Sequence, residues 1–167
     1  MTEPARTPAP VPAPGPALPR LGQGFHWQDL VAGQAFRTFR RTVTETDLVN
    51  FISCTGMLEA IFIEEGYEGG AIRGRPVPGA LTYTLIEGFI LQTMIQGTGL
   101  AMLELAQKIH APVRVGDTIE ATVTVTGIRP TSSRNRAVVT SDIEVFNQRG
   151  ERVMSYTATR LLAGRPA

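Results

Sequence analysis

The stretch PGALTYTLIEGFILQTMI, residues 78–95, decides how the rest of the chain folds. Pro76 and Pro78 stand at its start, where the first N–H groups of a helix have no intrahelical partner and proline is tolerated. Leu81, Leu85, Ile86, Phe89, Ile90, Met94 and Ile95 then cover most sides of a helix over 80–95, so the spacing predicts a buried helix rather than a surface one. Downstream the period changes. Ile119, Ala121, Val123 and Val125 alternate with polar residues, the period-two signature of a sheet with one buried face. The same reading predicts strands over 100–111, 118–128, 137–146 and 152–162, with turn residues at Gly116, Asp117 and 147–150 between them. One buried helix followed by an antiparallel meander gives an α+β fold, a curved antiparallel sheet wrapped round a long central helix.

Upstream, residues 34–43 read as a strand. Thr44 reads as a helix N-cap with Asp47 three residues on, a capping box. Leu48, Val49, Phe51 and Ile52 make the following helix amphipathic, and Gly56 ends it in a left-handed conformation. Residues 57–74 mix apolar, acidic and glycine residues and read as a structured loop. Seven of the 12 prolines fall in residues 1–20, among alanines. Proline removes backbone donors and little there is large enough to bury, so residues 1–22 read as a disordered or polyproline-like tail and 23–167 as a single domain.

The composition narrows the function classes. A chain of 167 residues, 43% hydrophobic, suffices for one core of ordinary size. Sixteen basic and 15 acidic side chains leave no basic excess of the kind nucleic-acid binding requires. No run of 18 apolar residues exists, which argues against a membrane partner, and the single Cys54 points to a reducing, cytoplasmic setting. No His, Cys, Asp or Glu cluster has metal-ligand spacing, so no metal is expected.

Four segments together resemble the MaoC-like dehydratases, relatives of the (R)-specific enoyl-CoA hydratases: RTVTETDLVNF at 41–51, PGALTYTLIEG at 78–88, APVRVGDTIEATVTVTG at 111–127 and NQRGERV at 147–153. The resemblance spans residues 25–163 and implies a hot-dog fold, a homodimer with the central helices side by side, and an interfacial site for acyl-CoA or another pantetheine thioester. CoA enters as part of the substrate, and no separate cofactor is implied. Family hydratases carry G-D-x-N-P-x-H after the short helix, because hydrating an enoyl thioester needs a water polarised by an Asp and a His. Here residues 56–62 read Gly-Met-Leu-Glu-Ala-Ile-Phe, with Met57 at the Asp place and Phe62 at the His place. Neither exchanges a proton near neutral pH, and both are expected to line an apolar tunnel.

Other residues retain chemistry. The N–H of Gly79 at the helix start is a natural donor to a thioester carbonyl, or Pro-Gly is simply an entry turn. Glu87 interrupts the apolar helix and needs a reason for burial. It lies eight residues from Gly79, about 12 Å along the axis, so two antiparallel helices of a dimer would bring them to one thioester. That Gly-then-acid spacing resembles hot-dog thioesterases, whereas the alternative has Glu87 hydrogen-bonding Tyr83 or nearby backbone. Tyr83 is also a candidate substrate contact. Glu59 is the one carboxylate within the altered motif, a substitute base or a solvated loop residue. His26 and His110 read as hydrogen-bonded structural histidines, and Arg134 and Arg136 as solvated loop residues that are also within the repertoire for CoA phosphates. The resulting expectation is an acyl-thioester-binding protein: a hydratase or dehydratase with substituted groups, a thioesterase using Glu87 and Gly79, or a catalytically silent binder or assembly subunit.

Overall fold

The computed structural model of the chain describes residues 21–166, so the expected tail falls almost entirely outside the described residues. A 3-10 turn at Trp27–Asp29 precedes β1 (Ala35–Arg37), β2 (Arg41–Thr42), α1 (Glu45–Thr55), α2 (Ala60–Ile63), α3 (Gly79–Thr93), β3 (Gly99–Ile109), β4 (Thr118–Pro130), β5 (Arg136–Asn147) and β6 (Arg152–Ala163). The strands form one antiparallel sheet in the order β1-β4-β5-β6-β3, and β2 pairs with β4 further along the β1 edge.

Alternation along the strands builds the core. Ile119, Ala121, Val123 and Val125 of β4, Val139, Ile143 and Val145 of β5, and Met154, Tyr156, Ala158 and Leu162 of β6 are buried, as are Leu81, Ile86, Phe89 and Ile90 of α3. The predicted α+β arrangement, a sheet wrapped round one long helix, is therefore what the chain adopts. Burial of α3 is incomplete, because Leu91 stays 51% exposed beside the equally uncovered strand β3. All eleven residues of β3 are exposed, among them Leu100, Met102, Leu103, Leu105 and Ile109. It is the last strand of the sheet, with one side unpaired among the described residues.

The capping box at α1 forms as the sequence predicts. The Thr44 Oγ1 accepts from the Asp47 N–H at 3.2 Å, Asp47 accepts from the Thr44 N–H at 2.9 Å, and Gly56 closes the helix at φ 73°. Two local expectations are corrected. The strand expected over 34–43 is broken between Arg37 and Arg41. At Ala121 the ladder acceptor is the Thr38 hydroxyl (2.9 Å), so a side chain replaces the backbone carbonyl and the edge bows before pairing resumes. The loop over 57–74 holds one helical turn, α2, closed by Phe62 N–H to Glu59 C=O at 2.8 Å and Glu64 N–H to Ala60 C=O at 2.9 Å. Four residues are too few to show a helical period in sequence.

Candidate active site

Three segments meet at the head of α3. The 76–78 segment is held by the Val77 N–H, which donates to Val113 C=O at 2.8 Å, and by a bridge between Pro76 and Arg114. Pro78 then serves as N-cap and Gly79 as the first helical residue, whose N–H position has no intrahelical acceptor. Between this helix head, the α2 turn and the ends of β3 and β6 lies a cavity of about 300 Å³. Gly79, Thr82, Ile61, Phe62, Ile109 and Met154 are among its walls, and its lining residues include no carboxylate.

Gly79 and Phe62 are thus brought to one cavity, with the half-buried Phe62 packed against the core. Met57 is not: it is 41% exposed and absent from the lining, because it leaves α1 beyond Gly56 before the α2 turn points the chain back inward. The tunnel expected from both residues therefore has only Phe62 in its wall. Glu59 is exposed, stands at the N-cap of α2 with no side-chain capping bond, and is not among the cavity's lining residues. A Cβ on Gly79 would lie 2.4 Å from the Ile109 Cδ1, so the missing side chain is filled by β3 rather than left open toward a ligand.

The middle of α3 carries a different arrangement. Glu87 is 7% exposed, and its Oε1 accepts from the Tyr156 hydroxyl at 2.7 Å and from the Arg160 Nη2 at 2.5 Å. This corrects the expected local partner: Tyr83 does not bond Glu87 but packs edge-on against the Tyr156 ring, 5.3 Å between centroids. Burial, reinforced by the Glu87 charge and hydrogen bond, pushes the Tyr156 hydroxyl far above the usual tyrosine range, so it stays a donor. Burial and Glu87 raise Tyr83 as well. Glu87 and Tyr83 border a second hollow, between α3 and β3, shared with Leu91, Met102 and Arg160. Within the chain Gly79 and Glu87 therefore face different cavities.

Sequence reasoning missed Arg160. The signal was present: along β6 the inward positions run Met154, Tyr156, Ala158, Arg160, Leu162, and an arginine there requires a buried anion. The remaining candidates sit outside both cavities or contribute little to them. His110 borders the first cavity, but its Nε2 bonds the Ser155 hydroxyl at 2.8 Å, and Ser155 lines a hollow elsewhere on the sheet. Desolvation and the nearby Arg152 and Lys108 hold that imidazole below its ordinary pKa. His26 donates its backbone N–H to Asp29 at 2.7 Å. Arg134 lies exposed in the β4–β5 turn, Arg136 starts β5, and Cys54 is exposed on α1. Among the described residues no group of three potential metal ligands occurs, and no helix is long and apolar enough to cross a membrane.

Comparison with known proteins agrees with this fold. The family described as FAS1-like, dehydratase domain region matches residues 30–156. An (R)-specific enoyl-CoA hydratase of Rhodospirillum rubrum is 31% identical over 106 residues, covering 63% of this chain and 72% of that protein. The crystal structure of a MaoC-like dehydratase from Rhodospirillum rubrum superposes with a TM-score of 0.78 at 25% identity, covering 86% of this chain and 100% of the other. A Mycobacterium tuberculosis protein with a double hotdog fold shares the fold at a TM-score of 0.73 and 18% identity, over 88% of this chain and 46% of that one. The sheet that closes round α3 is accordingly a hot-dog sheet, and the chain belongs to the FAS1-like dehydratase domain family, among the MaoC-like relatives of the enoyl-CoA hydratases.

Proposed function

We propose that the chain binds an acyl thioester, acyl-CoA or another pantetheine thioester, with the acyl chain in the cavity at the head of α3 and the thioester oxygen accepting from the Gly79 N–H. The observation that carries this reading is the cavity itself: apolar walls opening at a helix N-terminus, where a free N–H and the macrodipole favour a partly negative oxygen. The R. rubrum relative is an enoyl-CoA hydratase, which supports the same substrate class. Hydration needs a proton-exchanging pair, and the cavity wall carries Phe62, no carboxylate and one imidazole, His110, whose Nε2 is bonded to Ser155. Binding without efficient hydration is the consequence. Glu87 as a thioesterase base finds less support, since Tyr156 and Arg160 already occupy its Oε1.

A second copy of the chain is the proposed cover for β3. The exposed apolar residues of that strand adjoin Leu91 of α3, and an unpaired edge of this length favours strand addition. Sedimentation of the protein tests this directly, and a monomer at micromolar concentration would remove the dimer from the reading.

The function is tested with three readouts on one preparation. Octanoyl-CoA is expected to raise the melting temperature, the linkage amounting to about 2.7 kcal/mol at a hundredfold excess over Kd. Crotonyl-CoA is expected to keep its enoyl absorbance, with a rate about 10²–10⁴-fold below that of a hydratase for each acid–base role absent. No free thiol is expected from octanoyl-CoA. An unchanged melt with saturated thioesters would defeat the binding reading, and rapid hydration would defeat its silent character.

A further inference from the structure

Helix α3 contains the threonines Thr82, Thr84 and Thr93, and two of them follow the usual habit of a hydroxyl inside a helix. Thr84 Oγ1 donates to the Ala80 carbonyl at 2.8 Å and Thr93 Oγ1 to the Phe89 carbonyl at 2.7 Å. Thr82 does not. The carbonyl four residues back, that of Pro78, is shared by the N–H groups of Leu81 at 2.9 Å and Thr82 at 3.3 Å. The Thr82 hydroxyl has no hydrogen-bond partner among the described residues, although the residue is only 2% exposed. An unpaired hydroxyl sealed in a core is costly. Thr98 Oγ1 and Arg160 Nε are closed off in that way, whereas the Thr82 hydroxyl still borders open space, and that space is the cavity at the head of α3. The other polar side chain in the cavity wall, His110, has its Nε2 bonded to Ser155.

We propose that the Thr82 hydroxyl is a second donor to the thioester oxygen assigned to the Gly79 N–H, so that the two groups clamp one carbonyl. This rests on the acyl-thioester reading and deepens it from a single backbone contact to a two-donor site. Thr82 follows Gly79 by three residues, about 4.5 Å along the axis, and positions so spaced share one helix face. Helical side chains lean toward the N-terminus and cover the turn before their own Cα, so the Thr82 hydroxyl leans back over the turn that begins at Gly79. Both residues line the same cavity, and neither donor is taken up within the helix. A carbonyl oxygen has two lone pairs and accepts from both. Ile61, Phe62, Ile109 and Met154 surround the pair with apolar atoms, where a hydrogen bond is stronger than in water and a missing one costs more. The cavity thereby separates a thioester, which satisfies both donors, from a thioether of equal length, which satisfies neither.

The test is calorimetry of the full chain with octanoyl-CoA and with S-octyl-CoA, the thioether that lacks the carbonyl. The thioester is expected to bind about tenfold or more tightly. Thr82→Val keeps the shape of the side chain and removes the hydroxyl. It is expected to weaken octanoyl-CoA about tenfold and to leave S-octyl-CoA unchanged. It is also expected to raise the melting temperature of the free chain by about 2–4 °C, because the group removed is unpaired in the fold. Thr82→Ser retains the hydroxyl and is expected to retain the preference for the thioester. In infrared spectra of bound, carbonyl-labelled octanoyl-CoA, the carbonyl stretch is expected at higher frequency in Thr82→Val than in the parent chain, since one donor is gone. A lower melting temperature for Thr82→Val would show the hydroxyl spent within the fold and overturn the clamp. Equal affinity of the parent for the two ligands, or equal loss of both in Thr82→Val, would overturn it while leaving the acyl cavity intact. Failure of the parent chain to bind either ligand would overturn the thioester reading and the clamp with it.

Discussion

The head and the middle of α3 lie eight residues apart and solve opposite problems. At the head, Gly79 presents a polar backbone group to a cavity walled by apolar side chains. In the middle, Glu87 buries a charge and surrounds it with Arg160 and Tyr156. The first arrangement leaves a donor available to a ligand, and the second ties the Oε1 of Glu87 to two partners within the fold. A lone acidic residue in an apolar helix is therefore no guide to chemistry until its partners are known, and a featureless glycine can be the more informative position.

The largest effect expected from breaking this contrast comes from the middle. Glu87→Ala strands the Arg160 charge in the core and should destabilise the chain by about 3–5 kcal/mol in urea unfolding. Replacing both partners, Glu87→Leu with Arg160→Met, should recover most of that loss, because an apolar pair leaves nothing unsatisfied. If the single substitution is neutral, the pair is not the structural element described. Tyr156→Phe removes one hydrogen bond to the same carboxylate and should lower stability by about 1.5–3 kcal/mol.

The head should respond more gently in stability and more sharply in binding. Gly79→Ala places a methyl against Ile109 and should destabilise by about 1–2 kcal/mol, since the opposing atom is the end of a half-exposed side chain that can turn away. Adding Ile109→Ala should relieve the crowding and restore stability, while octanoyl-CoA affinity reports whether the helix head remains open. A reference point away from both ends is Asp117, buried at the turn before β4. Burial alone would raise its pKa, but hydrogen bonds from Gln148, the Arg114 N–H and Arg149 outweigh that and hold the carboxyl below the usual range. A depressed folded-state value means stability present above the unfolded pKa of about 3.9 and lost as pH falls through the folded one. Asp117→Asn should thus be about 1 kcal/mol less stable at pH 7, with the difference from the parent chain shrinking toward pH 3.

The same contrast explains what could be read in advance. The long helix, the four strands after it and the α1 capping box follow from periodicity and local hydrogen-bond chemistry, which neighbouring residues express by themselves. Phe62 and Gly79 were placed together only through the resemblance to a family, because no local pattern links positions 17 residues apart across a glycine-rich loop. Met57 failed for the same reason: a single turn of helix at Ala60–Ile63 re-aims the chain, and four residues leave no period to detect. Glu87 was legible as an anomaly. Its partners were not, since they come 69 and 73 residues later and were visible only as an arginine on the wrong face of an alternating strand.

Ile109 has two places in the fold. Its methyl rests over Gly79 in the cavity wall, yet the residue belongs to the open border strand and is 56% exposed. One side chain therefore belongs at once to the exposed border strand and to the wall of the interior cavity.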